Sequence, residues 1–149
     1  MAIWGVQQES LAATKFVTAG PGSDVAVSSS TATTVITTGA LAALDPGPYF
    51  PLIAGVLVIV LGGSAPSALT VKFILGAGSA VDTYTVEPGL LVNSAELVVP
   101  VFLVGVNSAV AWIGAGSTIN LQVTATGQAV TVKGVGSRII AQLLRGPDL

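Results

Sequence analysis

The stretch GAGSTINLQVTATGQAVTVKGVGSRIIAQLLR, Gly114 to Arg145, decides the fold. From Thr118 to Thr126, Ile119, Leu121, Val123 and Ala125 alternate with Thr118, Asn120, Gln122, Thr124 and Thr126. A period of two puts each set on its own face of a strand, so one face belongs to a core and the other is wetted by uncharged polar groups. Gly127 and Gln128 permit a tight reversal, and Val130 and Val132 resume the alternation against Thr131 and Lys133 until Gly134 and Gly136 interrupt it. The pattern predicts an antiparallel ribbon followed by a closing strand from Arg138 to Leu144. The stretch carries no chemically reactive residue.

Working outward, Ala68 to Leu75 alternates in the same way, with Leu69, Val71, Phe73 and Leu75 inward, and in Asp82 to Val86 the pair Tyr84 and Val86 opposes Thr83 and Thr85. Three segments behave differently. Leu52 to Leu61 (LIAGVLVIVL), Glu96 to Val106 (ELVVPVFLVGV) and Arg138 to Leu144 (RIIAQLL) are apolar on both faces, as expected of strands covered from both sides. Pro100, which cannot donate to a ladder, argues for an edge or a bulge. Val25 with Val27, and Val35 with Thr37, suggest two short strand pieces between Asp24 and Thr38.

Asp45 to Pro51, DPGPYFP, is the strongest loop signal in the chain, and its Tyr49 and Phe50 either pack on the domain's end or face a partner. Residues 1–22 end in the breaker Gly20-Pro21-Gly22 and form either a first strand plus loop or an arm anchored on a neighbouring subunit by Trp4 and Phe16. The expected architecture is all-β, a single jelly-roll-like sandwich or barrel of about eight antiparallel strands over 23–149, preceded by an N-terminal arm over 1–22. An immunoglobulin-like sandwich is the alternative.

Composition narrows the function. Only 8% of the 149 residues are charged, against roughly 25% in ordinary soluble domains, while 52% are apolar. A folded chain of 14.7 kDa exposes about 6,900 Å², which twelve ionisable side chains cannot cover even with the help of 26 Ser and Thr. Part of the outside is therefore expected to be shielded by other subunits. The mean hydropathy of +0.86 raises the question of a membrane. Leu52 to Leu61, however, would rise only about 15 Å as a helix, half the hydrocarbon thickness, and Gly89 to Val106 is broken by Asn93, Glu96 and Pro100. No membrane partner is expected, and the start MAIWGVQQES does not read as a secretory signal.

The absence of cysteine and histidine excludes disulfides, thiolate nucleophiles, imidazole bases and the common zinc sites. Five scattered Lys and Arg leave no footprint for nucleic acid. The two GAGS clusters, at 76–79 and 114–117, lack the Gly-Lys-Ser/Thr ending of a phosphate loop and are expected to be turns. Asp24, Asp45, Asp82, Glu87 and Glu96 stand one per turn or strand end without ligand spacing. No metal, no cofactor and no enzymatic activity are expected. A carbohydrate-binding module would need exposed aromatics, for which Trp4, Tyr49, Phe50, Tyr84 and Trp112 are the candidates. The chief functional signal is association, with Trp4, Phe16, Tyr49, Phe50, Val56, Val58, Val101, Leu103, Ile140 and Leu144 as candidate interface residues.

The C-terminal third, GAGSTINLQVTATGQAVTVKGVGSRIIAQLLRG, resembles the closing strands of small jelly-roll head decoration, or cement, proteins of tailed phages: a glycine, an alternating strand, a short turn, a valine-rich strand and an apolar last strand. The resemblance covers about a quarter of the chain, and the Thr/Val/Ala/Gly-rich composition accords with it. It implies a non-enzymatic virion protein that forms a homo-oligomer, a trimer, on the capsid surface and ties neighbouring copies of the major capsid protein together. Another virion component, such as a tail, fibre or coat protein, is the alternative.

Overall fold

A computed structural model of the chain describes residues 15–39, 49–75, 80–104 and 118–145. Ten strands run in the order β1 (Lys15–Ala19), β2 (Val25–Val27), β3 (Thr33–Thr37), β4 (Tyr49–Leu61), β5 (Ala68–Leu75), β6 (Ala80–Val86), β7 (Glu96–Val104), β8 (Ile119–Thr126), β9 (Val130–Val132) and β10 (Arg138–Arg145). A 3-10 turn, Pro88–Leu90, follows the Glu87-Pro88-Gly89 stop signal.

The strands form two antiparallel sheets. In the first, β7 pairs along one edge of β4, and β10 and β9 share the other edge end to end, meeting Tyr49 to Val56 and Ile59 to Leu61 respectively. Outside them, β1 pairs with β10 and β2 with β9. The second sheet has the order β3-β8-β5-β6. If β1/β2 and β9/β10 each count as one interrupted strand, the sheets have the orders 1-8-3-6 and 2-7-4-5. That nesting of strand pairs is the jelly roll.

The side chains explain the layering. The inward positions of β8 are all buried, and so are Leu69, Val71 and Phe73 of β5. They meet Ile53, Leu57, Ile59 and Ile139 of the first sheet across one core. Burying each such side chain contributes about 1.5–3 kcal/mol. Thr38, at the end of β3, is buried with its hydroxyl satisfied, for Oγ1 accepts the Ile119 N–H at 2.9 Å.

Three local expectations meet a different outcome. The ribbon of Thr118–Thr126 with Val130–Val132 does not form, because β3 and β5 occupy both edges of β8. Gly127, at φ +86°, instead turns the chain across the sandwich, so that β9 joins the opposite sheet. Tyr49, Phe50 and Pro51 of the proline-rich segment extend β4 rather than a loop. In β3 the pairing slips between Thr34 and Ile36, so Val35 and Ile36 are both buried while Thr37 is exposed. Lys15–Ala19, inside the segment read as a first strand plus loop or as an arm, pairs with β10 as a strand, while residues 1–14 lie outside the described residues.

The gap between β9 and β10 positions a surface feature. Lys133 to Ser137 is opposed on β4 by Leu57 and Val58 alone, so the chain must bulge. The Lys133 N–H donates to the Val58 carbonyl at 2.8 Å, and the Val58 N–H donates to Ser137 Oγ at 2.9 Å, which pins both ends of the bulge. Asp24, in the gap between β1 and β2, bonds Lys133 Nζ and accepts the Gly134 N–H at 2.9 Å. Those two contacts hold the Asp24 carboxyl below its ordinary pKa, the Lys133 bond having the larger effect.

Candidate functional site

The outer faces of the two sheets differ in chemistry. The second presents Thr34, Thr70, Lys72, Thr85, Gln122 and Thr124, with a Gln122 to Thr34 side-chain bond of 3.2 Å across the strands. The first presents mostly aliphatic carbon, with Thr18, Thr131 and Gln142 also at its outward strand positions. Along β4, Leu52, Val56, Val58 and Val60 point outward half-buried, beside exposed Ala54. On β7 the outward residues are Val98, Pro100 and Phe102, with Val98 59% and Phe102 65% exposed. On β10, Ile140 is 47% exposed.

Register joins these positions. Ile140 of β10 faces Ala54, which faces Phe102 on its other side. Likewise Val56 lies between Arg138 and Pro100, and Val58 lies beside Val98. The three segments read as two-sided strands are thus β10, β4 and β7, adjacent in one sheet. The ionised groups at the described outward strand positions of this sheet are Arg138 and Glu96, one of each sign. A hollow of about 540 Å³ lined by Thr18, Ala19, Gly20, Arg138, Ile139 and Ile140 lies beside Ile140.

The bulge adds a protrusion. Gly136 stands against the outward side chain of Val58, since a β-carbon there would lie 3.0 Å from Val58 Cγ2. The bulge therefore rises on the outer side of the first sheet, and Val135 at its tip is 86% exposed. Gly134 packs against the Ser23 backbone, where a β-carbon would come within 2.6 Å. A valine is in this way displayed on a braced turn next to an apolar face.

Of the candidate interface residues, Val56, Val58 and Ile140 come together on this face. Val101 and Leu103, 2% and 1% exposed, lie in the chain's own core. Phe16, Tyr49, Phe50 and Leu144 are in strands, with Phe16 opposite Gln142, Tyr49 opposite Arg145 and Phe50 opposite Leu144. Trp4 is outside the described residues, as are Trp112, Asp45 and both GAGS clusters. Among the glycan-platform candidates, Tyr84 is half-buried against the core. Among the described residues no group of three acidic side chains could hold a metal ion, and no helix is long and apolar enough to cross a membrane.

Sequence reasoning missed Val98, Pro100, Phe102 and Val135. The first three were within reach: Glu96 is charged and must face water, so residues two, four and six positions on share its face.

No family model matches the sequence, nor does any curated protein. Solved structures of viral capsid proteins share the architecture. A structure of the Gx strain of infectious bursal disease virus superimposes over 91% of this chain with a TM-score of 0.57 at 16% identity. The VP2 subviral particle of the same virus superimposes over 89% with a TM-score of 0.51 at 17% identity. The chain spans about a third of the length of these proteins, 34% and 33% respectively. At such identity the likeness is one of fold.

Proposed function

We propose that the chain is a non-enzymatic structural protein of a virus particle, a decoration or cement protein that sits as a homotrimer on the surface of a phage head and bridges major capsid subunits. The observation that carries this reading is a jelly roll with one hydroxyl-covered outer face and one aliphatic outer face, a division suited to a protein that meets water on one side and protein on the other. The capsid-protein fold and the paucity of charge support it. Its mechanism is linkage: a protein that binds only the expanded shell stabilises that state by mass action, without chemistry. The residues ahead of β1 would reach a neighbouring subunit or the shell.

The test mixes the purified chain with expanded heads, stripped of accessory proteins, of the phage that encodes it. Saturable co-sedimentation and a higher head-disruption temperature are expected. A chain that stays in the supernatant at every concentration ends the decoration reading.

A second reading, a coat component of the shell itself, is favoured by the fold shared with proteins of infectious bursal disease virus particles. Closed particles assembled by the purified chain alone, seen by electron microscopy, would establish it in place of the first.

A further inference from the structure

The outer face of the first sheet has no covering element among the described residues. Its apolar surface runs from Leu52 to Val60 along β4, about 27 Å at the usual rise per residue, and is three strands or about 14 Å wide. That is on the order of 400 Å² before side-chain relief is counted, against roughly 800 Å² per partner in a standard interface. An isolated chain would have to keep Phe102, Val98, Ile140 and Val135 in water together.

Charge identifies the occupant. At its described outward strand positions the face carries Arg138 and Glu96, so it neither attracts a strongly charged partner nor repels a copy of itself. A nucleic acid would need a basic surface, and an anionic lipid surface a cluster of Lys and Arg. A second copy offers the same aliphatic composition and the same balanced pair. Shape agrees, because the face bears both a protruding valine and a hollow beside Ile140. A protrusion and a recess at different places on one surface suit a repeated head-to-tail contact that closes into a ring.

The geometry points to the outer face of the first sheet, with Val135 projecting from it, as the surface through which copies of this chain pack on one another. Val98, Phe102 and Ile140 form the apolar floor of the contact, and Val135 of one copy inserts beside Ile140 of the next. The bracing of the bulge by Val58, Ser137 and Asp24 means that little order has to be gained on association. The surface itself is argued from this chain alone; only a ring of three rests on the virion reading.

The test measures the solution mass of the full chain by sedimentation equilibrium, for the wild type and for F102E, V135D and V98T. A control, T85D, lies on the exposed outer face of the opposite sheet. The expected wild-type species has three times the 14.7 kDa chain mass. The two acidic variants are expected to weaken self-association by about a hundredfold, because each buries an unpaired charge in the apolar contact. V98T keeps the side-chain shape, so it remains folded even where an acidic variant does not, and it is expected to weaken association measurably. T85D should leave the mass unchanged. A wild type monomeric at high concentration, variants with undiminished association, or equal loss in T85D would each overturn the proposal. So would flotation of a monomeric wild type with phosphatidylcholine vesicles. A stable oligomer that fails to bind heads would instead count against the decoration reading and leave this surface standing.

Discussion

A β-carbon on Gly55 would lie 2.3 Å from the carbonyl oxygen of Arg138 and 2.9 Å from Ile139 Cα. Gly55 stands in the middle of β4, paired with Ile139 on one side and Val101 on the other, so neither neighbour can retreat without disturbing a ladder. Gly55→Ala should therefore cost about 2–3 kcal/mol, the scale of overpacking in a rigid interior. Gly63 has nothing within 4 Å of its would-be β-carbon, so Gly63→Ala should change stability by less than about 0.5 kcal/mol. Urea denaturation of the two variants, with equal slopes, checks the contrast.

Thr38 closes β3 with a buried hydroxyl that accepts the Ile119 N–H, while its own N–H donates to the Ile119 carbonyl at 2.9 Å. Thr38→Val preserves the volume but strands a buried amide donor, at a cost of about 1–3 kcal/mol. Thr38→Ser keeps the acceptor and should recover most of that loss. A Thr38→Ser variant less stable than Thr38→Val, measured by the denaturation midpoint, would show that the methyl group and not the hydrogen bond matters at this site.

The legible part of the fold was the part with an alternating code. In β5, β6 and β8 one face is polar, so Leu69, Tyr84 and Leu121 declare their side by their neighbours, and the structure follows. In β4, β7 and β10 both faces are apolar, and the alternation has no phase of its own. Val101 and Leu103 could not be told from Val98 and Phe102 by hydrophobicity, and it is Glu96 on β7 and Arg138 and Gln142 on β10 that mark which parity faces out. Sheet membership was less legible still. The Gly127 turn is compatible with a hairpin, and what rules one out is competition from β3 and β5 for the edges of β8, a non-local fact. The bulge at Gly134 to Gly136 was visible as an interruption. That it lifts Val135 onto the apolar side depends on the spacing between Val56 and Ile59 on a different strand.

Two phenylalanines test the difference between the interior and the outer face. Phe73 is fully buried at the centre of the second sheet, and Phe73→Ala should cost about 3–5 kcal/mol. Phe102 is 65% exposed in the single chain, so in a chain held monomeric by V135D, Phe102→Ala should cost no more than about 1 kcal/mol. Comparable losses for the two residues would mean that Phe102 is covered by part of its own chain.

The Asp24 contact gives stability a defined dependence on pH. Its folded pKa lies below the ordinary 3.8 because the carboxylate bonds Lys133 and the Gly134 N–H, so folding favours the ionised form. The sign follows from linkage: the contribution is fully present well above 3.8 and is lost as pH falls through the lowered folded value. Both side chains are exposed to solvent, at 36% for Lys133 and 46% for Asp24, so the effect is small and screened by salt. Asp24→Asn removes the titration while keeping an acceptor for the Gly134 N–H. The thermal midpoint of the wild type should exceed that of the variant by a constant margin at neutral pH, and the margin should shrink as the solution is made acidic below the ordinary carboxylate range. A margin that grew on acidification would mean that the carboxyl group is stabilised in its protonated form, contrary to the two bonds that brace the bulge.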